Sequence, residues 1–142
     1  MGRAQRLTVP GRFEYLAQIA ELVTRVARDA GLTDDDVFHV EMAVDEACSN
    51  VIEHAYAQTA GEIELTCTIP EQGRLEVVIH DQGKPFDPAA VPEPEVIDGA
   101  SLDALPTGGL GLYFMRKLMD EVRFHFAPGD GNTLYMVKRK QP

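Results

Sequence analysis

The sequence predicts an α+β domain built as a two-layer sandwich, with helices packed on one face of a mixed, mostly antiparallel sheet. Three observations lead there. Between Phe13 and about Ala57, apolar residues recur at helical spacing in two successive stretches. Beyond Gly61 the period drops to two, and Ile63, Leu65, Cys67 and Ile69 alternate with Glu62, Glu64, Thr66 and Thr68. A second strand pair follows only after a long Pro- and Asp-rich segment and a short helix, so the elements fall into blocks that layer.

The first helix covers Phe13 to Ala30, where Leu16, Ile19, Ala20, Val23, Val26, Ala27 and Ala30 form an apolar stripe. Gly31 ends it, because glycine tolerates the left-handed conformation that closes a helix. Thr33 is a good N-cap for the second helix, and Asp34, Asp35 and Asp36 suit the positive end of its dipole. That helix runs from Asp34 to about Ala57, and Gly61 breaks it. The strand at Ile63 to Ile69 turns over Pro70-Glu71-Gln72-Gly73 and returns as Leu75 to His80. Lys84 to Thr107 reads as a loop with one short helical turn near Ile97 to Leu105, and loops of that length in a compact domain usually carry function. Leu110, Leu112, Tyr113, Met115, Leu118 and Met119 give a short helix. Val122, Phe124 and Phe126 then alternate, the chain turns over residues 128–132, and a last strand runs from Thr133 to Lys138.

Residues 1–142 make one domain, long enough to bury a core without disulfide staples. With 44% apolar and 25% charged residues, the chain has the balance of a folded protein and not of a disordered one. A net charge of −10, with no basic stretch to neutralise phosphates, argues against direct nucleic-acid binding. Lys138-Arg139-Lys140 is the only positive cluster and reads as a solvated tail. No window has the length of a membrane span, and the first residues lack the apolar core of a secretory signal. Cys48 and Cys67 fall in a helix and a strand with no metal or redox spacing, as buried free thiols do in a reducing compartment, so a cytoplasmic protein is expected.

Glu46 and Asn50 lie four apart on the second helix, so both project from one face, among Ala43, Val44, Ala47, Val51, Ile52 and Ala55. A carboxylate and a carboxamide beside apolar neighbours are costly unless something binds them. Asn50 can give an oxygen to Mg²⁺, and Glu46 can orient or deprotonate a nucleophile near a γ-phosphate. Asp81-x-Gly83, at the end of a strand, offers an acceptor to a base, although in isolation it reads equally well as a capped turn. Gly108-Gly109-Leu110-Gly111 precedes a helix whose N–H groups and dipole can hold phosphate. Glycines before helices are common, and this run is neither a Walker loop nor a dinucleotide fingerprint. In their joint order these parts read as an ATP site. His54 reads as a structural histidine, Met42, Met115 and Met119 as core filler, and His39, His80 and His125 show no metal spacing.

Nearly the whole chain resembles the GHKL-type (histidine kinase-like) ATPase domains, and within them the small RsbW-type anti-sigma factor serine-protein kinases. The segment E-A-C-S-N-V-I-E-H-A-Y is similar to the Asn box of that family, which implies Glu46 as general base and Asn50 as Mg²⁺ ligand. D-Q-G-K-P-F-D-P resembles its first glycine box, with Asp81 accepting the adenine amino group beside Gly83. G-G-L-G-L resembles its second, with Gly108, Gly109, Leu110, Gly111 and Leu112 at the phosphates. G-N-T resembles the start of its final strand, with Thr133 near adenine, and 84–107 takes the place of the ATP lid. The resemblance implies ATP/ADP and Mg²⁺ as cofactors and a homodimer as the working unit. It implies two protein partners, a sigma factor and an anti-anti-sigma protein of the sulfate-transporter-domain type, the latter phosphorylated on serine. Between Pro85 and Pro106 there is no Arg or Lys, which leaves Lys84, Arg116 and Lys117 as the cations nearest a γ-phosphate in sequence. The alternative is a regulatory module that binds ATP to switch partner binding with little or no transfer. A detached histidine-kinase catalytic domain is disfavoured, since no dimerisation and phosphoacceptor helix precedes the match.

Overall fold

The computed structural model describes residues 4–57, 59–85 and 107–141, with the side chains of 107–111 excepted. Strand β1 (Ala4–Pro10) leads through a single 3₁₀ turn into α1 (Leu16–Asp29) and α2 (Asp34–Asn50). Strands β2 (Glu62–Glu71) and β3 (Arg74–Asp81) form a hairpin, and α3 (Thr107–Leu118) precedes a second hairpin of β4 (Glu121–Ala127) and β5 (Gly131–Arg139). The sheet order is β1-β2-β3-β5-β4. All four pairings among the described residues are antiparallel, which bears out the mostly antiparallel sheet expected and shows no parallel pair within it. A period of two reports a strand and its faces, not its direction, which is why the pattern left this open.

One face of the sheet carries Ile63, Leu65 and Cys67 from β2, Leu75, Val77 and Ile79 from β3, and Leu134 and Met136 from β5. Against it pack Ile19, Val23 and Val26 of α1, Val40, Val44 and Ala47 of α2, and Met115 and Met119 of α3. Cys48 and Cys67 are free and fully buried there, and burial pushes each thiol up to about 12, where it holds its proton and stays unreactive. The opposite face is polar: Tyr135 donates to Glu76 at 2.8 Å, and Arg123 lies over the Tyr135 ring. No helix among the described residues is long and apolar enough to cross a membrane.

Four expectations need correction. Strand β1 went unrecognised: it is an edge strand in which only Leu7 and Val9 turn inward, so its alternation is too short to register. Met42 is exposed and fills no core, whereas Met115 and Met119 are buried. Lys138 is no tail residue, being 4% exposed within β5. Its ammonium donates to the Leu118 carbonyl at the end of α3 and lies 4.0 Å from the Asp36 carboxylate in the first turn of α2. A buried cation is tolerated because both partners carry negative charge or dipole. Burial works to raise the Asp36 carboxyl, but the Gln141 N–H, the Thr33 cap and Lys138 together bring it below its ordinary value. Finally, α2 does not run regularly to Ala57: a π-helical turn takes over at Val51–Tyr56, and Ala57 closes it in a left-handed conformation. Such turns widen the helix and recur at functional sites.

Candidate functional site

A pocket opens between the end of α2, α3 and the edge where β3 ends and β5 begins. Ala47, Asn50, Val51, His54 and Ala55 form its helix wall, and Ile79, Met115, Phe124 and Leu134 give it an apolar floor. Asp81, Lys84, Asn132, Thr133 and His125 border it at the sheet end. A mostly apolar cleft with a few convergent polar groups suits a flat heterocycle with a charged tail.

At the sheet end, every main-chain N–H from Gln82 to Lys84 has a partner. Gln82 N–H donates to the Tyr56 hydroxyl at 3.0 Å, Gly83 N–H to Asp81 Oδ1 at 2.8 Å, and Lys84 N–H to the Ala55 carbonyl at 2.7 Å. The terminal carbonyls of a helix have no intrahelical donor, and Lys84 satisfies that of Ala55. Glycine at 83 is a spatial requirement, since a Cβ there would lie 2.5 Å from the Ala55 carbonyl oxygen. Gly131 is needed twice over: its φ is +96°, and a Cβ would lie 2.0 Å from the Asp81 carbonyl oxygen. Asp81 is itself buried, and among the described residues its second oxygen, Oδ2, takes no hydrogen bond.

The helix wall is left open. Asn50 is half-buried and makes no side-chain hydrogen bond among the described residues, an unusual state for a carboxamide beside a core unless a ligand is meant to meet it. Glu46, one turn earlier, is also half-buried, but it stands outside the pocket lining, which begins at Ala47. Burial raises its carboxyl above the ordinary value, the charges of Asp45 and Glu53 add to the rise, and His54 opposes it. No set of three His, Cys, Asp or Glu residues among the described ones could cage a metal. Asn50 fits Mg²⁺ in the other usual manner, as one oxygen ligand to an ion held otherwise by phosphates and water.

Other site residues fall as follows. Gly108, Gly109, Leu110 and Gly111 do not precede α3 but form its first turn, because the helix begins at Thr107. The N–H groups of Gly108, Gly109 and Leu110 fall among the first four of the helix, which have no intrahelical acceptor. Leu112 is buried in the core. Thr133 borders the pocket, paired across the sheet with His80 and not with Asp81. Arg116 and Lys117 are exposed and outside the pocket, with Lys117 over the Tyr113 ring. Of the lid, residues 86–106 lie outside the described residues.

Sequence reasoning missed Tyr56 and Asn132. The Tyr56 ring fills the space that side chains at Gly11 and Gly61 would need, and its hydroxyl donates to the Glu62 carbonyl while accepting from Gln82. Gly61, read as a helix breaker, is there for that ring. Asn132 faces Asp81 across the sheet and binds it directly. Its signal was the G-N-T run, in which Thr133 was singled out.

The model of the histidine kinase-like ATPase domain family matches residues 9–138. The serine-protein kinase RsbW of Bacillus cereus (strain AH187) is 32% identical over 93% of this chain and 82% of its own, and that of Bacillus thuringiensis (strain Al Hakam) matches equally. A crystal structure of the RsbU and RsbW domains of a Mycobacterium tuberculosis protein superposes on 99% of this chain with a TM-score of 0.69, at 17% identity. This chain spans about a third of that one (33%). The histidine kinase domain of an Erythrobacter litoralis blue-light-activated kinase gives a TM-score of 0.53 over 89% of the chain at 18% identity, a likeness of fold.

Proposed function

The chain belongs to the histidine kinase-like ATPase domain family, and from that premise we propose that it is an ATP-dependent protein-serine kinase that also acts as an anti-sigma factor. The observation that carries the reading is the pocket that gathers Asn50 and Asp81 around an apolar floor, each with an oxygen that takes no hydrogen bond among the described residues. The names of the RsbW relatives support the serine kinase reading.

In this reading adenine lies on Ile79, Met115 and Leu134 with its amino group on Asp81 Oδ2, and Gly83 gives the base room. The phosphates reach the start of α3 at Gly108 to Gly111, where the unpaired N–H groups of Gly108, Gly109 and Leu110 and the helix dipole favour negative charge. Asn50 is the protein ligand to Mg²⁺, which when bound neutralises phosphate charge. Glu46 accepts the proton of the substrate serine as its oxygen bonds to the γ-phosphorus and the bond from phosphorus to the β–γ bridging oxygen breaks. A carboxyl raised by burial is a stronger base than an exposed one, as this task requires.

The serine belongs to an anti-anti-sigma protein of the sulfate-transporter-domain type, the other partner is a sigma factor, and the working unit is a homodimer in the cytoplasm. A strongly acidic body without a basic face suits protein partners and not nucleic acid. The second reading, a nucleotide-switched binding module with little transfer, draws on the position of Glu46 outside the pocket lining. Incubation with γ-labelled ATP, Mg²⁺ and candidate antagonist proteins separates the two. Label on serine that falls roughly a hundredfold or more in Glu46→Gln, with ADP affinity kept, is the expected result. ADP binding with no label transferred to any antagonist would select the switching module.

A further inference from the structure

We propose that Asn132 is a positioning residue that fixes the plane of the Asp81 carboxylate so that one oxygen is left facing the nucleotide, and thereby sets a preference for bases that carry an amino group. This rests on the reading of Asp81 as the base acceptor. Asn132 is buried, stands opposite Asp81 in register, and uses both hydrogens of its carboxamide: one on Asp81 Oδ1 at 2.9 Å, the other on the Lys84 carbonyl at 2.7 Å. Gly83 N–H adds a second donor to the same Oδ1. Tilting the carboxylate out of this plane would break both bonds at once, so one oxygen stays on these donors and the other, here Oδ2, is left for a ligand. Held there ionised, it accepts from an exocyclic amino group and repels a carbonyl oxygen at the same place.

The residue type follows from the chemistry. Serine or threonine has one hydroxyl hydrogen for two acceptors, an ionised aspartate has none, and leucine keeps the volume without a donor. Gly131, bare of Cβ where the Asp81 carbonyl passes, lets the two strands come close enough for the bridge.

The test compares ADP with inosine diphosphate, which replaces the amino group by a carbonyl. Asn132→Leu should weaken ADP by about tenfold or more and lower the ADP-over-IDP ratio comparably, because a freed carboxylate adapts to either base. Asn132→Asp supplies a pH profile that packing alone would not produce. Two facing carboxylates at this distance share a proton, and the protonated pair restores the donor to Asp81 Oδ1. ADP affinity of Asn132→Asp, taken as a ratio to wild type at each pH, should therefore recover as pH falls from about 8.5 to about 5.5. Lys84, His54, Tyr56 and His125 around the pocket are common to both proteins and cancel in that ratio. A wild-type ADP-over-IDP ratio in Asn132→Leu, or a flat ratio across pH in Asn132→Asp, overturns the role of Asn132. Asp81→Asn with unchanged ADP affinity overturns the base reading itself.

Discussion

The two walls of the pocket are built on opposite terms. At the sheet end, residues 81–84 are strapped by Tyr56, Ala55 and Asn132, and Gly83 and Gly131 sit where even one carbon more would collide. On the helix wall, Asn50 has no side-chain partner among the described residues and Glu46 is half-buried with its proton held more tightly than usual. The difference fits a division of labour. A base is the same in every nucleotide state and is best met by groups fixed beforehand, whereas phosphate, metal and substrate hydroxyl come and go. The sheet end has its hydrogen bonds internally, and on the proposed function the helix wall keeps its own for ligands.

The comparison breaks most completely at Gly131. Gly131→Ala adds a carbon 2.0 Å from the Asp81 carbonyl oxygen at a φ of +96°, so the β3–β5 contact must open. Calorimetry should find ADP binding lost, and melting should show destabilisation of about 2 kcal/mol or more. Next is the helix wall: Asn50→Ala removes the proposed oxygen ligand and no side-chain bond among the described residues, so stability should hold while the gain in ADP affinity given by Mg²⁺ falls about tenfold. Equal Mg²⁺ dependence in both proteins would take Asn50 out of the metal site. Tyr56→Phe sharpens the contrast from the strapped side. It deletes the hydroxyl that joins Glu62 to Gln82 and should cost about 1–2 kcal/mol in denaturant melts, with a weaker grip on ADP.

The smallest effect is a shift with pH. Because the folded Glu46 holds its proton above the ordinary value of 4.5, its contribution to stability is complete below that pH and is lost as pH rises through the raised value. Glu46→Gln should therefore melt slightly higher than wild type at pH 7, with the difference closing toward pH 4. A variant that melts lower at pH 7 would mean that Glu46 is held by a partner instead of left open.

What could be read from the chain follows the same divide. Glu46, Asn50 and Asp81 stand out because polar groups at fixed spacing among apolar ones need no knowledge of the fold to look costly. The two main helices and both hairpins follow from their periods. Asn132 was hidden by register: in a strand, one residue decides the face, and only the pairing of Asn132 with Asp81 shows which residue of G-N-T looks inward. Tyr56 was hidden because its function lies in contacts with residues far apart in the chain, from Gly11 to Gln82. Lys138 resembled a solvated end until α2 and α3 supplied the acceptors that bury it.

The place of β1 bears on how the chain is made. Hairpins β2–β3 and β4–β5 close over two and three residues, but β1 reaches β2 only across residues 11–61, which include α1 and α2. Closure entropy grows with the span, so this pairing forms after the local ones. The earliest strand of this domain thus docks later than the two hairpins close. Until it does, β2 shows a bare edge beside Ile63 and Leu65, and nascent chains crowded together can pair along it.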